Sequence, residues 1–182
     1  MNAFRMQQKL EKYLRLAGIP YDAENLRGLY NESPANDIYS ILQYAINPGD
    51  IAAYAAVLRC PLARFSQATF LELITNPKEA FSIPNPSVRD AALLERARAF
   101  FAELRGAMYK MSTAELVEHI WHKAGLRLDI LSRPDAHAFL EHFDYLFHLA
   151  AQIDKDGQTL SAFLAKIGPA IRGEKAGPEL EQ

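Results

Sequence analysis

The side chains with the most chemical potential in this sequence are its five histidines, its single cysteine and a few paired acids. His119 and His122 lie three apart, as His-Ile-Trp-His. On a helix that spacing puts two imidazoles on one face, where their nitrogens can chelate a metal ion. Such a site needs a third and a fourth ligand, and Glu115 and Glu118 are the nearest carboxylates. Ile120 and Trp121 point the other way, to histidines that border a core face. His137, His142 and His148 follow on a later segment, with spacings that do not converge on one helix face. Asp154-Lys-Asp-Gly157 resembles the start of a calcium loop, but its glycine comes too early and no glutamate closes the loop. It reads as a polar turn. Cys60 sits in Leu58-Arg-Cys-Pro-Leu62 with no histidine near it in sequence, which fits a small buried residue better than a nucleophile. A lone cysteine excludes an intramolecular disulfide and a cysteine-rich zinc site. No phosphate-cradling G-x-x-x-x-G-K-[ST], no G-x-G-x-x-G and no G-x-S-x-G occurs. The residues present assemble no catalytic constellation.

The elements that would position these groups are helical throughout. Leu10, Tyr13, Leu14 and Ala17 recur with helical period, and Gly18 and Pro20 stop that segment. Ser33-Pro34 predicts a capped helix start, with Ile38, Ile41, Leu42 and Ala45 as the apolar stripe. Asn47-Pro-Gly-Asp50 breaks it, and Asp50 caps a short helix carrying Ala53, Tyr54 and Val57. Ser66 caps the next, with Phe70, Leu71 and Ile74 inward. Pro77, Pro84 and Pro86 mark positions 76–87 as a connection and as the best internal boundary. Ser87 opens the longest helix, with Val88, Ala91, Leu94, Ala97, Phe101, Leu104 and Met108 as its stripe. Ser112-Thr-Ala-Glu115 is a capping box for a helix closed by Gly125. A further helix begins at Ser132 or Asp135 and runs to about Ile153, and a last one runs from Thr159 or Ser161 to Ile167, ended or broken by Gly168-Pro169. The expectation is an all-α, irregular bundle of about eight helices. It divides into 1–75, 76–172 and a polar, acidic tail, 173–182.

Composition sets the outer limits. The chain has 182 residues, 20 basic and 22 acidic, for a net charge of −2. That balance excludes a strongly basic nucleic-acid coat. Apolar residues make up 49% and charged residues 23%, a globular rather than a disordered composition. A chain of this length buries roughly 70% of its unfolded surface, so one core suffices without staples. No stretch approaches the ~20 apolar residues of a membrane helix, and no secretory signal opens the chain. A soluble, cytoplasmic protein without a membrane role is expected.

One ordered run of residues carries a resemblance. Lys9-Leu-Glu-Lys-Tyr-Leu-Arg-Leu-Ala-Gly-Ile-Pro-Tyr21 is followed by Gly28-Leu-Tyr30, then Glu32, Pro34 and Asp37. Next come Ile41-Leu42, Asn47-Pro48, Asp50 and Leu58-Arg-Cys-Pro-Leu62. Phe143 to Ala150 and Thr159-Leu-Ser-Ala-Phe163-Leu164 follow much later. This series resembles domain 2B of UvrD/Rep-type superfamily 1 DNA helicases, in the AddA/RecB-like helicase–nuclease branch. It is dense up to about Ile74 and sparse from Asn76 to Pro134. Two features depart from the family. Arg64-Phe65-Ser66 stands where the family has a Gly-Ile-Gly turn, and Asn25-Leu26 stands where it has Gly-Gly.

The resemblance implies a piece of a larger ATP-dependent DNA helicase, of a branch that includes helicase–exonucleases, acting in DNA repair and recombination. ATP and Mg would then be held by other helicase domains of the same chain, and none of the cofactor chemistry by this piece. The implied partners are duplex and single-stranded DNA and a nuclease subunit. Arg27, Tyr30, Arg59 and Arg64 are the implied nucleic-acid contacts, the arginines to phosphate and Tyr30 by stacking. Arg59 could instead bind helix carbonyls, and Tyr30 could be a core aromatic. The alternative from a different class is a helical protein–protein interaction module with no nucleic-acid role, which the near-neutral charge and the Val88 to Met108 stripe favour. A small enzyme built on His119 and His122 is the third reading.

Overall fold

The computed structural model describes residues 33–77 and 80–171. The expected first helix, the loop carrying Arg27 and Tyr30, and the acidic tail lie outside the described residues. What is described is all-α: α1 Ala35–Ile46, α2 Ile51–Val57, α3 Gln67–Thr75, α4 Val88–Ala107, α5 Thr113–Lys123, α6 Leu126–Leu131, α7 Ala136–Lys155 and α8 Leu160–Ile171. They form an irregular bundle with no strand among the described residues.

Side-chain caps set four of the helix starts, as the sequence predicts. Asp50 accepts the Ala53 amide at 2.9 Å, Ser66 the Thr69 amide at 3.4 Å and Ser87 the Asp90 amide at 3.1 Å. At α5 the box is reciprocal: Ser112 Oγ accepts the Glu115 amide while Glu115 accepts the Ser112 amide. A second acid reinforces this terminus, because Asp154 of α7 accepts the Thr113 and Ala114 amides at 2.9 and 2.8 Å. Asp154 is thus a structural carboxylate, and the turn after it closes on Gly157, whose φ of 69° a side chain would strain. Two starts differ. Pro34, not Ser33, is the N-cap of α1, and a proline offers no side-chain acceptor. Asp135 precedes α7 without a capping bond.

α1 lies at the centre, packed against α2, α4, α5, α7 and α8. Its apolar residues Ile38, Ile41, Leu42, Tyr44 and Ala45 are buried. The heart of the core is aromatic. Tyr44, Tyr54, Phe81 and Phe101 meet with ring centroids 4.9–6.0 Å apart. Phe81 belongs to the proline-rich connection yet is buried, and its amide donates to the Tyr54 hydroxyl at 3.0 Å. Its carbonyl accepts from Arg98 at 2.6 Å, so the connection is tied to α2 and α4 despite having no helical period.

Four details of the expected pattern change. Val88 is 92% exposed, because it opens α4 before the buried face begins; Asp90, Leu94, Ala97, Phe101 and Leu104 form that face. Leu71 points outward, and Thr69 and Leu73 take the inner positions of α3. Gly125 closes α5 but also begins α6, an unexpected helix; at φ 77° it supplies the reversal between the two. Pro169 lies inside α8. A proline removes one helical rung, and the burial of Phe163, Leu164 and Ile167 against α1 and α7 carries the helix past it.

Candidate functional site

Residues 58–66, which join α2 to α3, make a tight turn. The Cys60 amide donates to the Val57 carbonyl at 3.1 Å and the Ala63 amide to the Cys60 carbonyl at 3.0 Å. Leu58, Cys60, Leu62 and Ala63 are buried. Anchoring these apolar residues forces the two polar residues between and after them, Arg59 and Arg64, to the surface, and both are exposed. Arg64 has a positive φ of 26°. That left-handed backbone favours glycine and costs a side-chain-bearing residue of order 1 kcal/mol.

These arginines line one open cleft of about 440 Å³ with Ser33, Asp37, Cys60, Pro61, Asp129 and Arg133. α6 supplies its far wall. Leu126 and Ile130 anchor that helix in the core, which leaves Asp129 and the following Arg133 facing the cleft. Asp129 Oδ1 accepts from Arg64 Nη2. Asp129 Oδ2 accepts from Arg133 Nη2 at 2.6 Å, and the Arg133 guanidinium lies 5.0 Å from the Phe139 ring centroid. Arg59 has no side-chain partner among the described residues, so it is not bound there to helix carbonyls.

Asp37 lies on the first turn of α1. Burial pushes its carboxyl above the usual value, against the lowering effects of the Ser33 hydroxyl and the Arg133 charge. The Cys60 thiol is pushed up to about 12, chiefly by burial, which makes it inert at neutral pH. The cleft therefore gathers three guanidiniums against two carboxylates. This arrangement suits an anion with several acceptor oxygens. It provides no nucleophile–base pair.

Of the four expected contacts, Arg59 and Arg64 share this cleft, while Arg27 and Tyr30 lie outside the described residues. Asp37, Asp129 and Arg133 were not among the expected site residues. The Asp129–Arg133 pair has the i,i+4 spacing of a helical ion pair, a signal the sequence carries. The Arg64–Asp129 pair, 65 positions apart, has no local signature.

The histidines go elsewhere. His119 stacks near Phe100, centroids 6.4 Å apart, with Nε2 3.5 Å from Glu103 Oε1, so it borders the core; His122 is exposed. His142 is buried, while His137 and His148 are exposed. Among the described residues no group of three His, Cys, Asp or Glu side chains is placed to hold a metal ion. No described helix is long and apolar enough to cross a membrane. No protein-family model, no curated protein and no solved structure matches this chain.

Proposed function

We propose that this chain is the helical accessory domain, of the 2B type, of a cytoplasmic ATP-dependent DNA helicase of the helicase–nuclease kind, and that it guides duplex DNA during unwinding. ATP hydrolysis, with its Mg, would belong to other domains of the same protein. The observation that carries the reading is the cleft in which Arg59 and Arg64 converge with Arg133. Guanidiniums on a rigid turn match phosphate oxygens, and such contacts position a duplex without reading its sequence. A second feature supports it. Arg64 takes a left-handed backbone at the position where the resembled family's turn carries glycine, so a glycine-like turn persists with a guanidinium added.

The test is fluorescence anisotropy with a labelled duplex of about 20 base pairs at low and moderate salt. Weak binding is expected, with log K falling against log salt at a slope of about −2, as for two or three neutralised phosphates. Arg59→Ala with Arg64→Ala should flatten that slope and cost about tenfold in affinity. Absence of binding at low salt, or binding unmoved by the double substitution, would reject the proposal.

A specific observation favours the protein-interaction reading as the second choice. Val88, at the start of α4, and Tyr109, just beyond its end, are each 92% exposed. On that reading the chain binds no duplex, and Val88→Ser with Tyr109→Ser leaves folding unchanged but abolishes association with a protein partner.

A further inference from the structure

Asp129 uses both of its carboxylate oxygens, one for each guanidinium: Oδ1 for Arg64 and Oδ2 for Arg133. Two anionic oxygens on one centre, each taking one arginine, is also what a phosphodiester presents through its non-bridging oxygens. The carboxylate thus stands where a phosphate would be held. Its side chain is 17% exposed, whereas those of Arg64 and Arg133 are 59% and 34% exposed. An incoming phosphate can reach both guanidiniums from solvent without unpacking the helix that carries Asp129. Arg59 lines the same cleft and contributes a third cation with no carboxylate partner among the described residues. The Arg64–Asp129 pair is exposed, so exchanging it for a phosphate pair costs little, while the half-buried Arg133–Asp129 pair is the costlier of the two to give up.

We propose that Asp129 is an internal, displaceable counter-ion: it pairs Arg64 with Arg133 in the free protein, and a nucleic-acid phosphodiester takes both guanidiniums from it, with Arg59 as a third donor. The inference rests on the DNA-phosphate reading above and adds a restraint to it. The free domain holds its own cleft partly neutralised, so it grips the duplex weakly and releases it readily. This agrees with a chain of net charge −2 that nonetheless gathers arginines in one place.

The experiment is duplex anisotropy on the full 182-residue chain and its Asp129→Asn variant, from about 50 to 200 mM salt. The substitution keeps the size of the side chain and removes its charge. Affinity is expected to rise about tenfold, and the salt slope to steepen by about 0.9, one further uncompensated cation. Adding Arg64→Ala to Asp129→Asn should abolish the gain. Unchanged or weaker binding by Asp129→Asn, with the wild type still binding, overturns the counter-ion role and leaves the phosphate reading standing. Failure of both proteins to bind rejects the phosphate reading itself. Should Asp129→Asn not fold, the wild-type arginine side-chain Nε–H resonances decide. Arg64 and Arg133 should shift together on duplex addition, and shifts confined to Arg59 would overturn the proposal.

Discussion

Replacing Asp90 should be among the most damaging single changes in the described fold. Its side chain is fully buried and ties the N-termini of α3 and α4 together. Ser66 Oγ donates to it at 2.6 Å, Thr69 Oγ1 at 2.8 Å and the Ser66 amide at 3.3 Å. Bonds from Ser66 and Thr69, chiefly the Ser66 hydroxyl, outweigh the cost of burial and hold the carboxyl below its ordinary value of 3.8. Asp90→Ala removes two short charge-assisted bonds at about 1.5 kcal/mol each, since the long amide contact adds little, so a loss of about 3 kcal/mol is expected. For a protein of this size that lowers Tm by about 6–12 °C. Asp90→Asn keeps the volume and can still bond both hydroxyls, so it should cost about half as much. The pH dependence has a definite sign. A carboxyl lowered in the native state stabilises above its unfolded value and loses that contribution as pH falls through its native value. The gap between wild type and Asp90→Ala is therefore full at pH 7 and narrows below pH 3.8. Thermal and urea unfolding followed by circular dichroism at both pH values measure it. A variant within about 1 kcal/mol of wild type at pH 7, or a gap that widens in acid, would refute the reasoning.

Three further outcomes follow from other parts of the molecule. Asp37→Asn should stabilise the protein at pH 7 and tighten duplex binding. The native carboxyl is raised by burial, so the destabilising contribution of Asp37 alone is absent below pH 3.8 and is fully present once pH has risen through its native value; the advantage of the variant should vanish in acid urea titrations. Tyr54→Phe leaves the buried Phe81 amide without its acceptor and should cost about 1–2 kcal/mol in urea unfolding, with faster hydrogen exchange at Phe81. Arg64→Gly should be more stable than Arg64→Ala by about 1 kcal/mol, because only glycine relieves the left-handed backbone, while both lose duplex affinity equally. Equal stability of those two variants would show that the turn is not strained.

Much of the bundle is legible in the sequence because its caps are local. Asp50, Ser66, Ser87 and the Ser112–Glu115 box act within three residues, and each starts its helix as read. What escaped was set by tertiary packing. Phe81 sits in a proline-rich stretch without period, and only the pocket formed by Tyr44, Tyr54 and Phe101 makes it core. Gly125 reads as a stop, and nothing local says that a second helix starts from it. Asp90 reads as a polar residue off the apolar stripe, yet it takes a buried place because Ser66 and Thr69 supply donors from another helix. In the site, Arg59 and Arg64 were expected as contacts only through the resemblance, and Asp129 joins them only through the packing of α6.

The proposed duplex contact is tested most directly by the salt dependence of duplex binding in wild type and in Arg59→Ala with Arg64→Ala. A slope of about −2 that flattens in the double variant, with about tenfold lower affinity and an unchanged Tm, is the expected result. A slope near zero, or one that the double variant leaves intact, would contradict it.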